Sequence, residues 1–565
     1  MRGEARRFRS DHLTTVHLFL IYLASLVIYR LYWSPLAKIP GPKLAAATFW
    51  YEFYYDVIRR GRYTWKIGEL HEEYGPIVRI NPFEVHINDP DYYHHIYSGP
   101  SKRREKWAWS AAMFGTSSSH FSTVPHELHR RRRAPLNHFF SRASVLRLEP
   151  MVRDVVEHLC SRLEGFRDTK EPVNLRHAFA AVAMDVVTEY AFGTSYKCLE
   201  DPLFAPMWPE AVDSVSEQSH LNKQFPWLLP LMRRTPLWLV EKLNPHIMRL
   251  IKLQIDLSIQ VQKLMTTTTD QQQQDQSNAN KTPSSSSSSH PTIFHELLQP
   301  DSLLPTQDRT LTHLVGEAQA IVAAGQVTTT HFLNTTAFHI LSQPKILSTL
   351  QKELNTAISS SSPPKDGEDE TFLPPLQILE QLPYLSAIIL EGYRLSYGVT
   401  HRLQRISPDE DLIYEDQRNK NENENEKKKK NEDKIYVIPR GTPMSMTSIF
   451  MHENPEIFPR PKEFEPERWL DDNSPSSPSD GSSSADDGAK KHLSNYLVNF
   501  SKGTRGCLGQ HLASAEIHLT LAAIFSGKRF ELELYQTTRE DVDVEHDFFN
   551  PQPKKGAVGV RVFVN

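Results

Sequence analysis

"NFSKGTRGCLGQHLASAEIHL" runs from Asn499 to Leu519 and places Cys507 between two glycines, two residues after an arginine and just ahead of an apolar-periodic helix. A cysteine at a helix start feels the positive end of the helix dipole and nearby unpaired backbone N–H groups, both of which favour thiolate. A thiolate binds iron. Gly506 and Gly509 lack a Cβ, so the backbone around the sulfur can approach a flat ligand closely, and Gly503 permits a tight turn before it. Arg505 stands where a guanidinium can meet a carboxylate at that ligand's edge. Taken alone, a lone cysteine is more often a small buried hydrophobe than a metal ligand. The frame argues otherwise.

The rest of the chain sets the context. Its 565 residues suggest about three or four domains on length alone. The net charge of −4 gives no reason to expect nucleic acid as a partner. Three cysteines, Cys160, Cys198 and Cys507, at wide spacings argue against a disulfide scaffold or zinc finger and for a reducing compartment.

The N-terminus carries an address. After a basic segment, 1–15, an apolar run from Val16 to Trp33 is interrupted only by His17 and Arg30 and is followed by "PGP" at 40–42. A bilayer-crossing helix needs about 20 such residues, whereas the apolar part of a cleaved signal has about 7 to 15. The run therefore reads as a transmembrane anchor. Its orientation is not set by charge, because Arg2, Arg6, Arg7 and Arg9 compete with Arg30, Lys38 and Lys43.

Four low-complexity stretches, near 266–291, 359–370, 419–434 and 473–488, cannot bury enough apolar surface to offset chain entropy and are expected to be disordered surface loops. Between them helical patterning dominates. "LTHLVGEAQAIVAAGQVTTTHFLNTTAFHILSQP", from Leu311, reads as one long core helix that cannot run regularly past Pro344. Shorter helices follow from Pro344 and Leu382. Strand-like alternation is confined to "PIVRINPFEVHI", "KIYVIP" and "GVRVFV". The fold class is mainly α with a small β-sheet region.

"FSKGTRGCLG" resembles the haem-binding loop of the cytochromes P450, with Phe500, Gly503, Arg505, Cys507 and Gly509 at the family's positions. Other motifs follow in the family's order. "LEGYRLS" puts Glu391 and Arg394 three apart on one helix, and "FEPERWL" supplies Arg468; the resemblance implies a structural network behind the haem. An acid and a base at that spacing are otherwise usually a surface pair of little value. "HELHRRRRAPLNHFFS" resembles the family's third helix, which places His129 and Arg133 at the haem propionates, with histidine where the family has tryptophan. In "THRLQRISPDE", Arg405 corresponds to another propionate-binding arginine. The "HRRRR" run is expected to border the face that docks an acidic reductase.

"AAGQVTT" is similar to the family's oxygen-activation signature. By that likeness Ala324 and Gly325 let the helix pass over the iron, and Thr328 manages protons. A glycine beside β-branched threonines, one of which can bond back to a carbonyl, is expected to open the helix locally. The acidic position is Val327, which leaves the proton route open, with Gln326, Thr329, Thr330 or an ordered water chain as candidate substitutes.

The resemblance implies a cytochrome P450 fold with an N-terminal transmembrane helix (16–33) and one haem-thiolate catalytic domain over 34–565. It also implies haem b (iron protoporphyrin IX), with Cys507 as axial ligand, and a membrane-anchored monooxygenase inserting one oxygen atom from dioxygen into an apolar small molecule. No flavin or nicotinamide domain follows the haem loop, so electrons are expected from an NADPH-dependent, cytochrome P450 reductase-type flavoprotein, with cytochrome b5 as a further donor. The expected location is the endoplasmic reticulum membrane, with a single-pass anchor and the catalytic domain on the cytosolic side.

Substrate specificity is sought in "KWAWSAAMFGTSSSHFSTV" (from Lys106), "FPWLLPLMRRTPLWLV" (from Phe225), "SYGVT" (from Ser396) and "DFFNP" (from Asp547), whose apolar character favours a ligand with few charges. Likeness to fungal enzymes of specialised metabolism suggests a terpenoid or polyketide intermediate. Two alternatives stand beside this reading: a haem-thiolate isomerase, dehydratase or peroxygenase, because of Val327, and a non-catalytic haem-binding membrane protein.

Overall fold

Thr310 opens the long apolar helix, its hydroxyl accepting from the His313 N–H at 3.3 Å, and the helix then runs unbroken from Leu311 to Leu341 before Pro344 starts the next one. The computed structural model describes residues 2–115, 118–277, 291–360, 373–416, 435–470 and 492–565. These residues form two compact units, Met1–Trp107 with Arg402–Thr447, and Ala108–His401 with Ser448–Asn565.

The larger unit is helical. Helix Leu175–Phe192, capped by the Asn174 side chain and ended by Gly193 at φ 70°, is buried on nearly every side against the long helix. Such a helix has no polar face to show, which suits its Ala- and Val-rich sequence. Helices Arg142–Glu164, Pro383–Ser396 and Gln510–Phe525 close the same core around Val152, Phe179, Leu333, Leu385 and Leu519. Its strands are few. Arg561–Val564 pairs antiparallel with both Val173–Asn174 and Leu532–Leu534, and His546–Phe548 turns back as a hairpin onto Asn550–Gln552.

The smaller unit carries a four-stranded sheet in the order Ile77–Arg79, Val85–Ile87, Pro443–Ser445, Arg405–Ile406, with the central pair parallel. Leu412–Glu415 pairs antiparallel with Ile435–Ile438. A charged group lies buried behind the sheet: Arg402 donates to Glu52 (2.5 Å) and Glu84 (3.1 Å), and Asn81 bridges the other oxygens of both carboxylates (3.0 and 2.9 Å). All three charged side chains are inaccessible to solvent.

The N-terminal helix Arg2–Ile28 continues as a wider turn, Tyr29–Trp33, so the basic start is helical too. Leu13–Trp33, 21 residues, is long and apolar enough to cross a membrane, with Leu18, Phe19 and Ile21 exposed. Its end is fastened to the smaller unit. Arg79 donates to the Arg30 carbonyl (2.7 Å) and the Pro82 carbonyl (2.8 Å), while Arg30 donates to the Ala47 carbonyl (2.7 Å). Gly41, at φ 152°, lies against Arg79 so closely that a Cβ there would come within 2.4 Å of its carbonyl oxygen.

The element types and the strand segments agree with the sequence periodicity. One expectation is corrected: 266–277 are not loop but the last turns of helix Pro245–Ser277. The amphipathic part of that helix supplies the nucleus, and extension needs only one bond per residue. Thr266 and Thr267 turn their hydroxyls back onto the Gln262 and Lys263 carbonyls, both at 3.0 Å. Ser359 and Ser360 likewise end helix Pro344–Ser360. The remainder of the four low-complexity stretches lies outside the described residues.

Replacing Arg402 by Met strands two buried carboxylates and is expected to cost about 3–5 kcal/mol, read from the urea unfolding midpoint. Adding Glu52→Gln and Glu84→Gln should recover much of that loss.

Candidate active site

Cys507 sits in the irregular segment between a single tight turn, Gly503–Arg505, and helix Gln510–Phe525. Gly503 takes φ 76°, the left-handed geometry expected of that turn. The Cys507 N–H donates to the Phe500 carbonyl (2.8 Å) and the Gly506 N–H to the Gly503 carbonyl (3.0 Å), which closes the loop on itself. Phe500 stacks edge-on against Tyr393, ring centres 5.0 Å apart.

Two arginines, one in the loop and one outside it, tie the loop to its surroundings. Arg505 donates to the Thr123 and Val124 carbonyls, both at 2.7 Å, and Arg133 donates to the Gly506 carbonyl at 2.7 Å. The clamp by Arg505 was not foreseen from its motif, which suggested only a ligand carboxylate. Burial pushes the Cys507 thiol up, and the Gly509 N–H and the Arg133 charge only partly offset it. The helix-start N–H of Gly509 thus favours the thiolate as expected, but burial outweighs it. A cation at the sulfur would reverse the balance.

The network behind the loop is complete. Arg394 reaches both oxygens of Glu391 (2.7 and 2.9 Å), Arg468 adds a third bond (3.1 Å), and the Trp469 indole (3.0 Å) and Glu465 N–H (2.9 Å) add two more. Arg394 also donates to the carbonyls of His452, Pro461 and Glu463. His452, which the sequence reading passed over, joins network to loop. Its Nδ1–H donates to the Arg394 carbonyl (2.9 Å), and its Nε2 accepts from the Val498 N–H (2.9 Å). Those bonds require the neutral ring, and burial accordingly pushes His452 down to about 3.

Helix His126–Asn137 carries the arginine run. Arg131 and Arg132 reach Asp308 (3.5 and 3.4 Å), Arg133 turns to the loop, and Arg130 faces solvent beside Glu127 (3.7 Å). Of the run, Arg130 and Arg131 keep exposed side chains. His129 is buried, its ring 6.4 Å from that of His120. Arg405 lies in the smaller unit, its guanidinium 5.2 Å over the Tyr97 ring.

On the long helix, the Thr328 hydroxyl donates back to the Ala324 carbonyl (2.9 Å), and Ala324 is exposed although the helix passes through the core. The helix is continuous here; the expected local opening is absent. Gly325 packs closely against helix Leu175–Phe192, since a Cβ would come within 3.0 Å of Val187.

Three of the four specificity segments meet around Phe549 and Asp547, and the fourth joins them at Gly115. Phe549 lies 4.9 Å from Phe114 and 6.0 Å from Phe121, and Thr400 donates to Asp547 (3.1 Å). In the fourth, Leu229 packs against Gly115, while Trp227 and Trp238 face outward. Two polar groups were missed. His401 and His220 both donate to Asp547, to its carboxylate (3.2 Å) and its carbonyl (2.5 Å), and His120 donates both its N–H (2.5 Å) and its ring (2.6 Å) to Glu317. Scattered along the chain, these residues form no motif that spacing could reveal.

The residues fit a haem. Cys507 is exposed, so its sulfur is open to a ligand although nearby protein raises its thiol. A Cβ on Gly509 would meet no protein atom within 4 Å, so the side next to the sulfur is open. Cys507 offers the one soft donor that a haem iron takes, and the Arg133 guanidinium at its loop favours negative charge there.

The Cytochrome P450 family model matches residues 40–417 and 422–557. A cytochrome P450 monooxygenase of Ascocoryne sarcoides, MO6277, is 42% identical over 96% of each chain. The tryptophan 6-hydroxylase fscE of Fusarium equiseti is 43% identical over 97% of this chain and 95% of its own. The N-acetyltryptophan 6-hydroxylase ivoC of Emericella nidulans is 43% identical over 96% and 95%.

The neutral His452 gives a pH dependence. Unfolding lets this imidazole bind a proton below its ordinary value of 6.5, whereas the folded ring stays neutral to about 3. Its contribution is full above pH 6.5 and is lost as pH falls through that window, by about 1.4 kcal/mol per pH unit. His452→Gln should therefore flatten the fall in urea midpoint between pH 6.5 and 5 by one proton's worth.

Proposed function

The chain belongs to the cytochrome P450 family, and we propose on that premise that Cys507 and Thr328 face the two sides of the haem in a monooxygenase of secondary metabolism. The carrying observation is an accessible cysteine whose loop is held by main-chain bonds and is open on the Gly509 side. The enzyme is a haem-thiolate monooxygenase; relatives named as monooxygenases and hydroxylases do not favour the isomerase, dehydratase or peroxygenase reading.

Bound there, haem supplies the oxidising chemistry, because a cysteinate ligand donates electron density to the iron and favours O–O cleavage. The chain supplies the rest. The Phe500 carbonyl fixes the Cys507 backbone, and the Gly509 N–H and Arg133 favour the charged sulfur. We assign the propionates, in haem b, to His129, Arg133, Arg505 and Arg405. Thr328, whose hydroxyl is oriented by the Ala324 carbonyl, holds or moves a proton at its Oγ1. A redox partner delivers electrons; we propose an NADPH-dependent flavoprotein reductase, with cytochrome b5 as a further donor, at the endoplasmic reticulum membrane, where the N-terminal helix anchors the chain with its catalytic part in the cytosol.

The substrate is an apolar organic molecule, a terpenoid or polyketide intermediate on the sequence reading. A second reading, an aromatic amino-acid derivative, is favoured by the names of two relatives and by the ring cluster of Phe114, Phe121 and Phe549. Reductase-supported turnover of N-acetyltryptophan against a terpenoid panel separates them.

Cys507→Ala is expected to abolish the long-wavelength carbon monoxide band of the reduced protein; an unchanged band would refute the ligand assignment. Val327→Asp should change the ratio of product formed to NADPH consumed, since it adds an acid beside Thr328, and an unchanged ratio would count against a proton route at this turn.

A further inference from the structure

Val327 offers no proton, yet the turn it shares with Thr328 is overlaid by a titratable side chain. Helical side chains lean toward the N-terminus and cover the residues three and four positions earlier. For His331 those residues are Thr328 and Val327. His331 is half-buried, and its Nε2 lies buried without a hydrogen-bond partner among the described residues. Gln326 Oε1, on the same helix, is in the same condition. Buried polar atoms rarely stay unsatisfied, and ordered water or a ligand is the usual partner.

The other side of His331 leads outward. Arg176, at the start of helix Leu175–Phe192, is close enough to act on the ring electrostatically. Arg176 pairs with Asp213 of helix Met207–Gln224 at 2.5 Å, and both side chains keep contact with solvent, at 22% and 29% exposure. His177 feels the same two charges, and Gln552 donates to Asp213 at 2.8 Å. Burial and Arg176 push His331 down to about 3, so at neutral pH the ring carries no charge to oppose its neighbour.

We propose that His331 is the positioning residue for proton entry, carrying protons from the Arg176–Asp213 side to the Thr328 hydroxyl where Val327 supplies none. This rests on the monooxygenase reading. The ring accepts a proton from water at one nitrogen and releases one from the other to Thr328 Oγ1, which passes its own proton into the cleft. No net charge stays on the ring, which ends as the other tautomer and resets by exchange with water.

His331→Gln keeps hydrogen bonding but cannot shuttle. With purified full-length protein, flavin reductase and NADPH, it should slow dioxygen consumption about ten- to hundredfold. It should also raise the solvent deuterium isotope effect, with the carbon monoxide band and melting temperature unchanged. Val327→Asp in that background should restore both rate and isotope effect, which a packing role for His331 would not allow. A wild-type rate and isotope effect in His331→Gln would overturn the proposal. A second readout needs no turnover: mass-spectrometric deuterium exchange at the imidazole C2 position. His331 should exchange well ahead of His339 and His452, buried rings pushed into the same low range. Exchange as slow as theirs would close the path and overturn the proposal. Should the wild-type protein consume no dioxygen, the monooxygenase reading fails separately, and the exchange rate still decides the His331 path.

Discussion

Two guanidinium groups, an indole N–H and a main-chain N–H all end on the carboxylate of Glu391, which solvent does not reach. Such a group adds little net stability, because desolvating the charges offsets most of their attraction. Its value is directional. With every oxygen of Glu391 engaged, Arg394 has fixed donors left for the His452, Pro461 and Glu463 carbonyls, so an irregular stretch of chain is held against helix Pro383–Ser396. His452 extends the hold to Val498, just before the cysteine loop. The sulfur's position thus depends on one acid distant in sequence.

Arginines elsewhere in the larger unit repeat this use. Arg505 and Arg133 both end on carbonyls of loops, not on acids. A guanidinium has five donors in a rigid fork, and a charged hydrogen bond is worth about 1.5–3 kcal/mol. It can therefore pin segments that no helix or sheet ladder holds. This keeps the thiol accessible while its backbone stays fixed, a combination that burial in a regular element would not give.

The sequence was most legible where function confines residues to one short segment. Cys507 with its glycines, and Glu391 with Arg394, were legible because a loop or a single helical turn gathers them into short motifs that resemble those of a known family. The core helices were legible because burial on all sides leaves an unbroken apolar pattern. What spacing could not show was cross-chain satisfaction: the Arg505 clamp on Thr123 and Val124, His452 between Arg394 and Val498, and Glu317 beneath His120. Composition misled at 266–277, where polar residues extend a helix begun by others. At Cys507 the helix-start N–H acts in the expected direction, and what spacing did not show is the burial that outweighs it.

The way the N-terminal helix leaves the smaller unit carries a mechanical consequence. A leash lets its two ends reorient independently. Here the Arg30 carbonyl, in the last turn of the anchor, is bonded to a guanidinium that belongs to the sheet, and Gly41 packs against the backbone of that same strand. The joint has no swivel. Any tilt of this helix is passed to the sheet, so were it to span a bilayer it would act as a keel that sets which edge of this unit meets the lipid.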